Sequence, residues 1–328
     1  MTSRQRFHET LSYGAPDRVP YFEEGLRDEV LEEWRRQGLP VGVDPCELFE
    51  TDRRERIPVS LDPIPGLKDW QPDAEGVKQL ARCLDPHDPR RWPDDWDECV
   101  KRWRDREHVL ELPLHRGFFL TMQVHAWDQF LNALFPLMDT PDLVREVFDL
   151  AARCSLGILD RVLSEVEVDY VSFSEPIGGN DRPLLSPAQY EAFLLPGYRA
   201  IIDAARQRGV QWFCWTTYAN GRPLLPGVVA AGFNVLWACE AETRAMDYRS
   251  IRAEFGRDLR LIGGIDLDVL LRSKEEVEQE IRTKAPPLLA DGGYLPLADG
   301  RVRKNVPFEH YRFYRELLAE VATTARAC

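Results

Sequence analysis

The sequence predicts a (β/α)8 barrel with an N-terminal helical or irregular extension. Three observations carry this: apolar strand-like runs alternate with amphipathic helical stretches, eight such runs occur in all, and no nucleotide cradle accompanies the first of them. A doubly wound sheet would place GxGxxG after its first strand, and a phosphate loop would read GxxxxGKS; neither motif is present.

The first two strand candidates are VPYFEEG (19–25) and RIPVSLD (56–62). Between about 63 and 105 the text turns to Pro, Asp, Arg and Trp. There RCLDPHDPRRWPDDWDECVKRW (82–103) couples proline punctuation to a helical charge pattern, and it reads as a surface excursion. The excursion is expected to interrupt a single domain that covers 1–328. LELPLHRG (110–117) is the third strand. A helix over 140–165 follows, with Thr140 as N-cap and Pro141 at its first position. VDYVSFSE (168–175) is the fourth strand, and the helix over 186–209 is capped by Ser186 and interrupted at Pro196. VQWFCWTT (210–217), FNVLWACE (233–240), LRLIGGID (259–266) and YLPLAD (294–299) complete the eight. They are separated by helices after Pro223, before 259 and over 273–293. A last helix spans 307–324.

The chain has 328 residues, of which 44% are hydrophobic and 30% charged, the balance of an ordinary globular protein. Its net charge of -13 opposes nonspecific binding to nucleic acid or anionic membrane, because phosphates carry the same sign. The cysteines, Cys46, Cys83, Cys99, Cys154, Cys214, Cys239 and Cys328, are odd in number and widely spaced, as expected of reduced thiols. MTSRQRFHETL has no apolar signal core and no run is long enough to span a bilayer, so a cytoplasmic protein is expected.

In a barrel, functional groups collect at the C-terminal ends of strands. Those ends here carry Glu23, Glu24, Asp62, His115, Arg116, Ser174, Glu175, Thr216 to Tyr218, Glu240, Asp266 and Asp299. A single strand-end carboxylate is commonly a helix cap; several converging from separate strands point to a site. Asp266 reads equally as the cap of a helix beginning at Leu267.

Four stretches in register carry a resemblance: RQRFHETLSYGAPDRVPYFE (4–23), RPLLPGVVAAGFNVL (222–236), LRLIGGIDLDVLL (259–271) and GGYLPLADGRVRKNVPFEHYRFY (292–314). Together they resemble the uroporphyrinogen decarboxylase superfamily over nearly the whole chain. The resemblance implies a (β/α)8 barrel. It also implies one of two chemistries: decarboxylation of the acidic tetrapyrrole, or methyl exchange among corrinoid proteins, thiols and folates.

Departures from the family pattern narrow this. The decarboxylase opens with an arginine-rich PVWxMRQAGR motif, whereas this chain reads VPYFEEGLRDEV (19–30), with glutamates where a polyacid would sit. The late histidine of the family falls on Gly300. The His-x-Cys of the zinc-dependent thiol methyltransferases falls on Thr216 and Tyr218, neither a good zinc ligand, and no cysteine stands at the late ligand position. Of the Asp-Gly-Asn found in other relatives, only Asn220 survives. No metal is therefore expected. Cys214 and Cys239 read as inert core thiols.

The expected function is methyl transfer at the barrel mouth, involving a methylated small molecule, a corrinoid or a folate. Breaking a C–O or C–N bond to methyl requires a proton on the leaving group, and Glu175, Glu240 and Asp299 are the candidate catalytic acids. Asp62, Arg116, Thr216, Tyr218, Asn220 and Arg301 are the candidate substrate-binding residues. No cofactor motif is recognisable; the candidates are tetrahydrofolate, or cobalamin carried by a partner corrinoid protein. The alternative is a cofactor-free decarboxylase of a small carboxylic acid, held by Arg116, Arg222 or Arg301. A non-catalytic ligand-binding barrel is the third reading. A homodimer is a further expectation, with PFEHYRFYRELL (307–318) supplying an aromatic face.

Overall fold

Seven strands are described in the computed structural model: Arg54–Arg56 (β1), Val109–His115 (β2), Tyr170–Glu175 (β3), Trp212–Thr217 (β4), Val235–Ala238 (β5), Arg260–Gly263 (β6) and Tyr294–Leu295 (β7). The structure describes residues 1–324 apart from 44, 69, 177, 178, 180, 219 and 240–244. The chain forms two compact units, one of Glu55–Arg106 and Leu110–Asn234, the other of Met1–Arg54, Glu107–Val109 and Val235–Cys328.

In the first unit β2, β3 and β4 are parallel neighbours in chain order, with Glu111 opposite Tyr170, Ser172 opposite Cys214 and Glu175 opposite Thr217. Parallel strands need a long return, and helices supply it: Pro141–Glu165 between β2 and β3, Pro187–Phe193 and Leu195–Gln207 between β3 and β4. Pro141 opens its helix as expected, but Thr140 makes no capping hydrogen bond. Ser186 does cap, in a reciprocal box with Gln189. The expected interruption at Pro196 is present as the break between the last two helices.

Strand alternation then decides which groups face the helices. Phe173 meets Tyr198 at a ring distance of 5.0 Å, so Val171, Phe173 and Glu175 point to the helical layer. Tyr170, Ser172 and Ser174 take the opposite face. The stretch 63–105 contains the helices Ala74–Cys83 and Trp96–Arg104. Trp96 is T-shaped against Trp92 and Trp103, at 4.7 and 5.5 Å, and its indole N–H donates to Glu165 at 3.0 Å. Arg161 lies 4.1 Å over Trp92, so this tryptophan cluster is stapled to the helix Pro141–Glu165.

In the second unit β5, β6 and β7 are again parallel and consecutive. The glycines of GGID make room for Tyr248. A Cβ on Gly264 would sit 2.6 Å from that ring, whose hydroxyl donates to Ile262 O and accepts from the Ala238 amide. The expected dimer face on the last helix lies inside this unit instead. Phe308, Tyr311 and Tyr314 are buried, and the Tyr311 ring packs at 4.7 Å against Trp34, tilted by 36°. Their spacing is that of a core stripe, which sequence periodicity alone does not distinguish from an interface stripe.

The α/β architecture with parallel strands in chain order is borne out. The strand expected over 19–25 is extended chain, touching Val302 in a single parallel bridge at Leu26. The reason is that its backbone is taken by a side chain: the Tyr21 amide donates to the buried Asp52 carboxylate at 2.8 Å, and the Asp52 amide to Tyr21 O at 2.8 Å. Asp52 also receives Arg6 at 3.1 Å, and Arg18. The strand expected over 56–62 is reduced to Arg54–Arg56, because Pro58 follows and removes a ladder donor. Among the described residues no helix is long and apolar enough to cross a membrane.

Candidate functional site

The C-terminal ends of β1 and β2 border a groove of about 410 Å³, lined by Arg56, Pro58, Ser60, Asp62, Pro113 and Arg116 among others. Arg116 stands one residue beyond β2 and pairs with Asp62; their side chains are 26% and 54% exposed. Two of the expected binding residues are thus brought together. Arg56 is new. Its side chain is 57% exposed, with Nε 3.5 Å from Glu111, so a second cation lines the same groove. Glu111 was also missed. It is buried on β2, accepting the Ser172 hydroxyl at 2.5 Å and the Tyr170 hydroxyl at 2.8 Å. The available signal was a charged residue at mid-strand in LELPLH, where burial demands partners.

Arg116 owes its position to a tight turn. Gly117 has φ +78, and a Cβ there would lie 2.5 Å from Glu175 Oε1 and 2.6 Å from Ser174 O. The Gly117 amide donates to His115 Nδ1 at 2.9 Å, and the Phe118 amide to Glu175 Oε1 at 2.8 Å. Gly117→Ala is therefore expected to destabilise by roughly 2–3 kcal/mol, combining left-handed backbone strain with the close approach. A urea melt reads this directly, and a loss below about 0.5 kcal/mol would contradict the turn described.

Glu175 is fully buried on the helix side of β3. Its Oε2 accepts from Tyr198 at 2.8 Å and from Tyr190 at 3.1 Å. Tyr190 accepts the Trp215 indole N–H at 2.8 Å, and the Tyr198 hydroxyl is 3.1 Å from His115 Nδ1. Burial pushes the Glu175 carboxyl up to about 7 against the pull of these donors, and pushes His115 down to about 3. Because the Gly117 amide donates to Nδ1, that nitrogen is an acceptor and Nε2 carries the ring proton.

The fifth predicted strand displays its groups in alternation. Thr216 is half-buried with its hydroxyl 3.6 Å from Cys214 Sγ, Thr217 is buried beside Glu175, and Tyr218 is 43% exposed. Hydroxyl and phenol are poor zinc donors, so the pair standing at the family's His-x-Cys positions does not fit a zinc site. Among the described residues no cluster of three or more His, Cys, Asp or Glu has the placement to hold a metal. Asn220 organises the loop: its amide NH2 donates to Asp181 O at 2.9 Å and its carbonyl accepts from the Arg222 amide at 3.1 Å.

The remaining expected residues belong to the second unit. Asp299 is 5% exposed and accepts the Leu267 amide at 3.0 Å; burial pushes its carboxyl up to about 7, with Asp266 adding to the shift. Asp266 itself caps the turn after β6 by accepting the Asp268 amide, which favours its capping reading. Arg301 is exposed. Glu240 lies outside the described residues. Glu23, read as repelling a polyacid, is paired at 2.7 Å with the buried Arg315. Cys239 donates to Glu24 at 3.5 Å.

The family model for uroporphyrinogen decarboxylase matches residues 125–286. No curated protein matches the chain in sequence. Among solved structures, a methyltransferase from Methanosarcina mazei superposes with a TM-score of 0.57 at 13% identity, covering 98% of this chain and 99% of its own. That establishes a shared fold. A uronate isomerase from Bacillus halodurans also aligns over 77% of this chain and 60% of its own, at 13% identity and a TM-score of 0.37, too low to carry an argument.

Proposed function

The chain belongs to the uroporphyrinogen decarboxylase superfamily, and we propose on that premise that it catalyses methyl transfer to or from a small anionic molecule. The observation that carries this is the groove flanked by Arg56 and Arg116 at strand C-terminal ends. Two guanidinium groups at one opening favour a carboxylate-bearing ligand, through charge-assisted and bidentate hydrogen bonds. The glutamate tail of a folate has that chemistry. A fold shared end to end with a methyltransferase supports the reaction class.

In this reading Arg116, braced by Asp62, holds the anionic end of the substrate. Thr216 and Tyr218 supply neutral hydroxyls that orient it. Asp299 of the second unit, whose carboxyl is pushed up to about 7 by burial, is by itself a candidate acid, as is Glu240. In this reading Glu175, fully buried on the helix side of β3, is not the proton donor. With hydroxyl and phenol at the family's His-x-Cys positions, Thr216 and Tyr218, the proposed acceptor is a folate or a corrinoid carried by a partner protein rather than a zinc-bound thiol.

Thermal unfolding with tetrahydrofolate, methylcobalamin and a reduced tetrapyrrole acid tests this. A ligand at a hundredfold excess over Kd stabilises by about 2.7 kcal/mol. The expected result is a shift with tetrahydrofolate or methylcobalamin that Arg116→Leu abolishes, and a turnover lowered about a hundredfold or more in Asp299→Asn. No shift with either would sink methyl transfer. The same two arginines suit a small carboxylic acid, so release of CO2 from such an acid would establish the decarboxylase reading instead.

A further inference from the structure

We propose that Glu175 is a positioning residue, which with His115 holds the turn 116–118 so that the Arg116 guanidinium is presented to the groove. The inference rests on the reading of that groove as an anion site.

The geometry is specific. Arg116 is bracketed by two anchored amides, Gly117 on His115 Nδ1 and Phe118 on Glu175 Oε1. The two acceptors come from neighbouring strands, β2 and β3, and Tyr198 joins them from the far side, 3.1 Å from one and 2.8 Å from the other. Tyr190 and the Trp215 indole complete the shell around Glu175. The turn also excludes any side chain at Gly117, which brings the amide run against the carboxylate. Among the described residues the buried carboxylate bonds through this shell, and its influence on the groove passes through the backbone of residues 116–118.

The proton count gives the arrangement two states. With Glu175 ionised, both tyrosine hydroxyls and the Phe118 amide donate to it. With Glu175 protonated, its O–H turns to Tyr198, the Tyr198 hydroxyl turns to His115 Nδ1, and the acceptor facing Phe118 loses its charge. A charged acceptor makes the stronger bond, so the turn is tighter in the ionised state. The other titratable groups in this shell are His115 from β2 and Tyr190 and Tyr198 from the helices. His115 is held neutral by burial and both tyrosines are pushed well above their ordinary range, which leaves Glu175 as the group of the shell that changes near neutrality.

Phenylglyoxal modification of the full chain, mapped by peptide mass spectrometry, tests this without knowledge of the substrate. The exposed Arg301 is an internal reference for the pH dependence of the reagent. The Arg116 to Arg301 rate ratio is expected to rise at least about threefold as pH falls from 8 to 6. In Glu175→Gln it is expected to stay at the low-pH level throughout, and in Tyr198→Phe the pH step should shrink. A flat ratio in the unaltered protein overturns the proposal, and so does an unchanged pH step in a folded Glu175→Gln. Protection of Arg116 by tetrahydrofolate is read in the same samples. Protection with a flat ratio keeps the anion site and removes the positioning role. A pH step without protection by tetrahydrofolate or by added succinate removes the anion site and keeps the positioning role.

Discussion

Arg106→Met is expected to destabilise the protein by about 3–5 kcal/mol, the usual result of breaking a buried ion pair from one side. Arg106 and Asp169 are almost wholly shielded, with side-chain exposures of 1% and 0%. Arg106 donates from Nη2 at 2.9 Å and from Nε at 3.3 Å to Asp169 Oδ2, which also accepts the Leu110 amide at 2.7 Å. Nη1 donates to Trp103 O at 2.8 Å. Methionine has similar length and no charge, so the variant takes from the buried Asp169 carboxylate the guanidinium that pairs with it. The double variant Arg106→Met with Asp169→Leu should recover much of the loss, because both desolvation costs vanish together. Urea denaturation checks both, with the midpoint moving and the m-value constant. A single-variant loss below 1 kcal/mol would show that water reaches this pair. Because the pair lies at the N-terminal ends of β2 and β3, turnover in the folded variant should be unaffected.

The second large effect is on how stability depends on pH. Glu175 and Asp299 are both pushed up to about 7 by burial. A raised carboxyl favours the neutral form in the folded chain. The stability it contributes is full below the unfolded value, near 4, and is lost as pH rises to about 7. Each shift corresponds to about 3–4 kcal/mol. Carboxylates held below their usual range, such as Asp17 beside Arg6 and Asp52 beside Arg18, act in the opposite sense at lower pH, so the raw stability curve mixes both. The difference between the unaltered protein and Glu175→Gln isolates one group. The variant should gain on the parent between about pH 4.5 and 7, by about 3 kcal/mol in total. Above 7 and below 4.5 the two curves should run parallel. Asp299→Asn should behave alike from about pH 4 upward. Curves that stay parallel through the whole range would mean that these carboxyls ionise freely in the folded state.

Most elements were legible because their signals are local. The helix 141–165, the box at Ser186 and the break at Pro196 each follow from a few adjacent residues. The strand expected at 19–25 was misread for a reason of the opposite kind. VPYFEEG has strand composition, but its backbone groups are claimed by Asp52, about thirty residues later, and nothing local announces that. Two of the family-bearing motifs supply packing contacts: Asp17 and Arg18 of PDRVP tie the N-terminus to Glu50 and Asp52, and the glycines of GGID admit Tyr248.

The candidate site shows the same division. Strand-end position picked out Arg116 and Asp62, and they do share a groove. It also picked out Glu175, where position was right and facing was wrong: in a period-two strand, neighbours point to opposite sides, and a strand end has no marker for which side is solvent. Arg56 and Glu111 went unseen because each looked like an ordinary charge until β1 and β2 set them 3.5 Å apart. The sequence by itself determined the order of strands and helices from residue 110 onward and placed no histidine or cysteine at 216 and 218, all properties of residue type and spacing. Only tertiary structure decided which carboxyls keep their protons and which arginines meet in one groove, because burial and through-space distance depend on segments far apart in the chain.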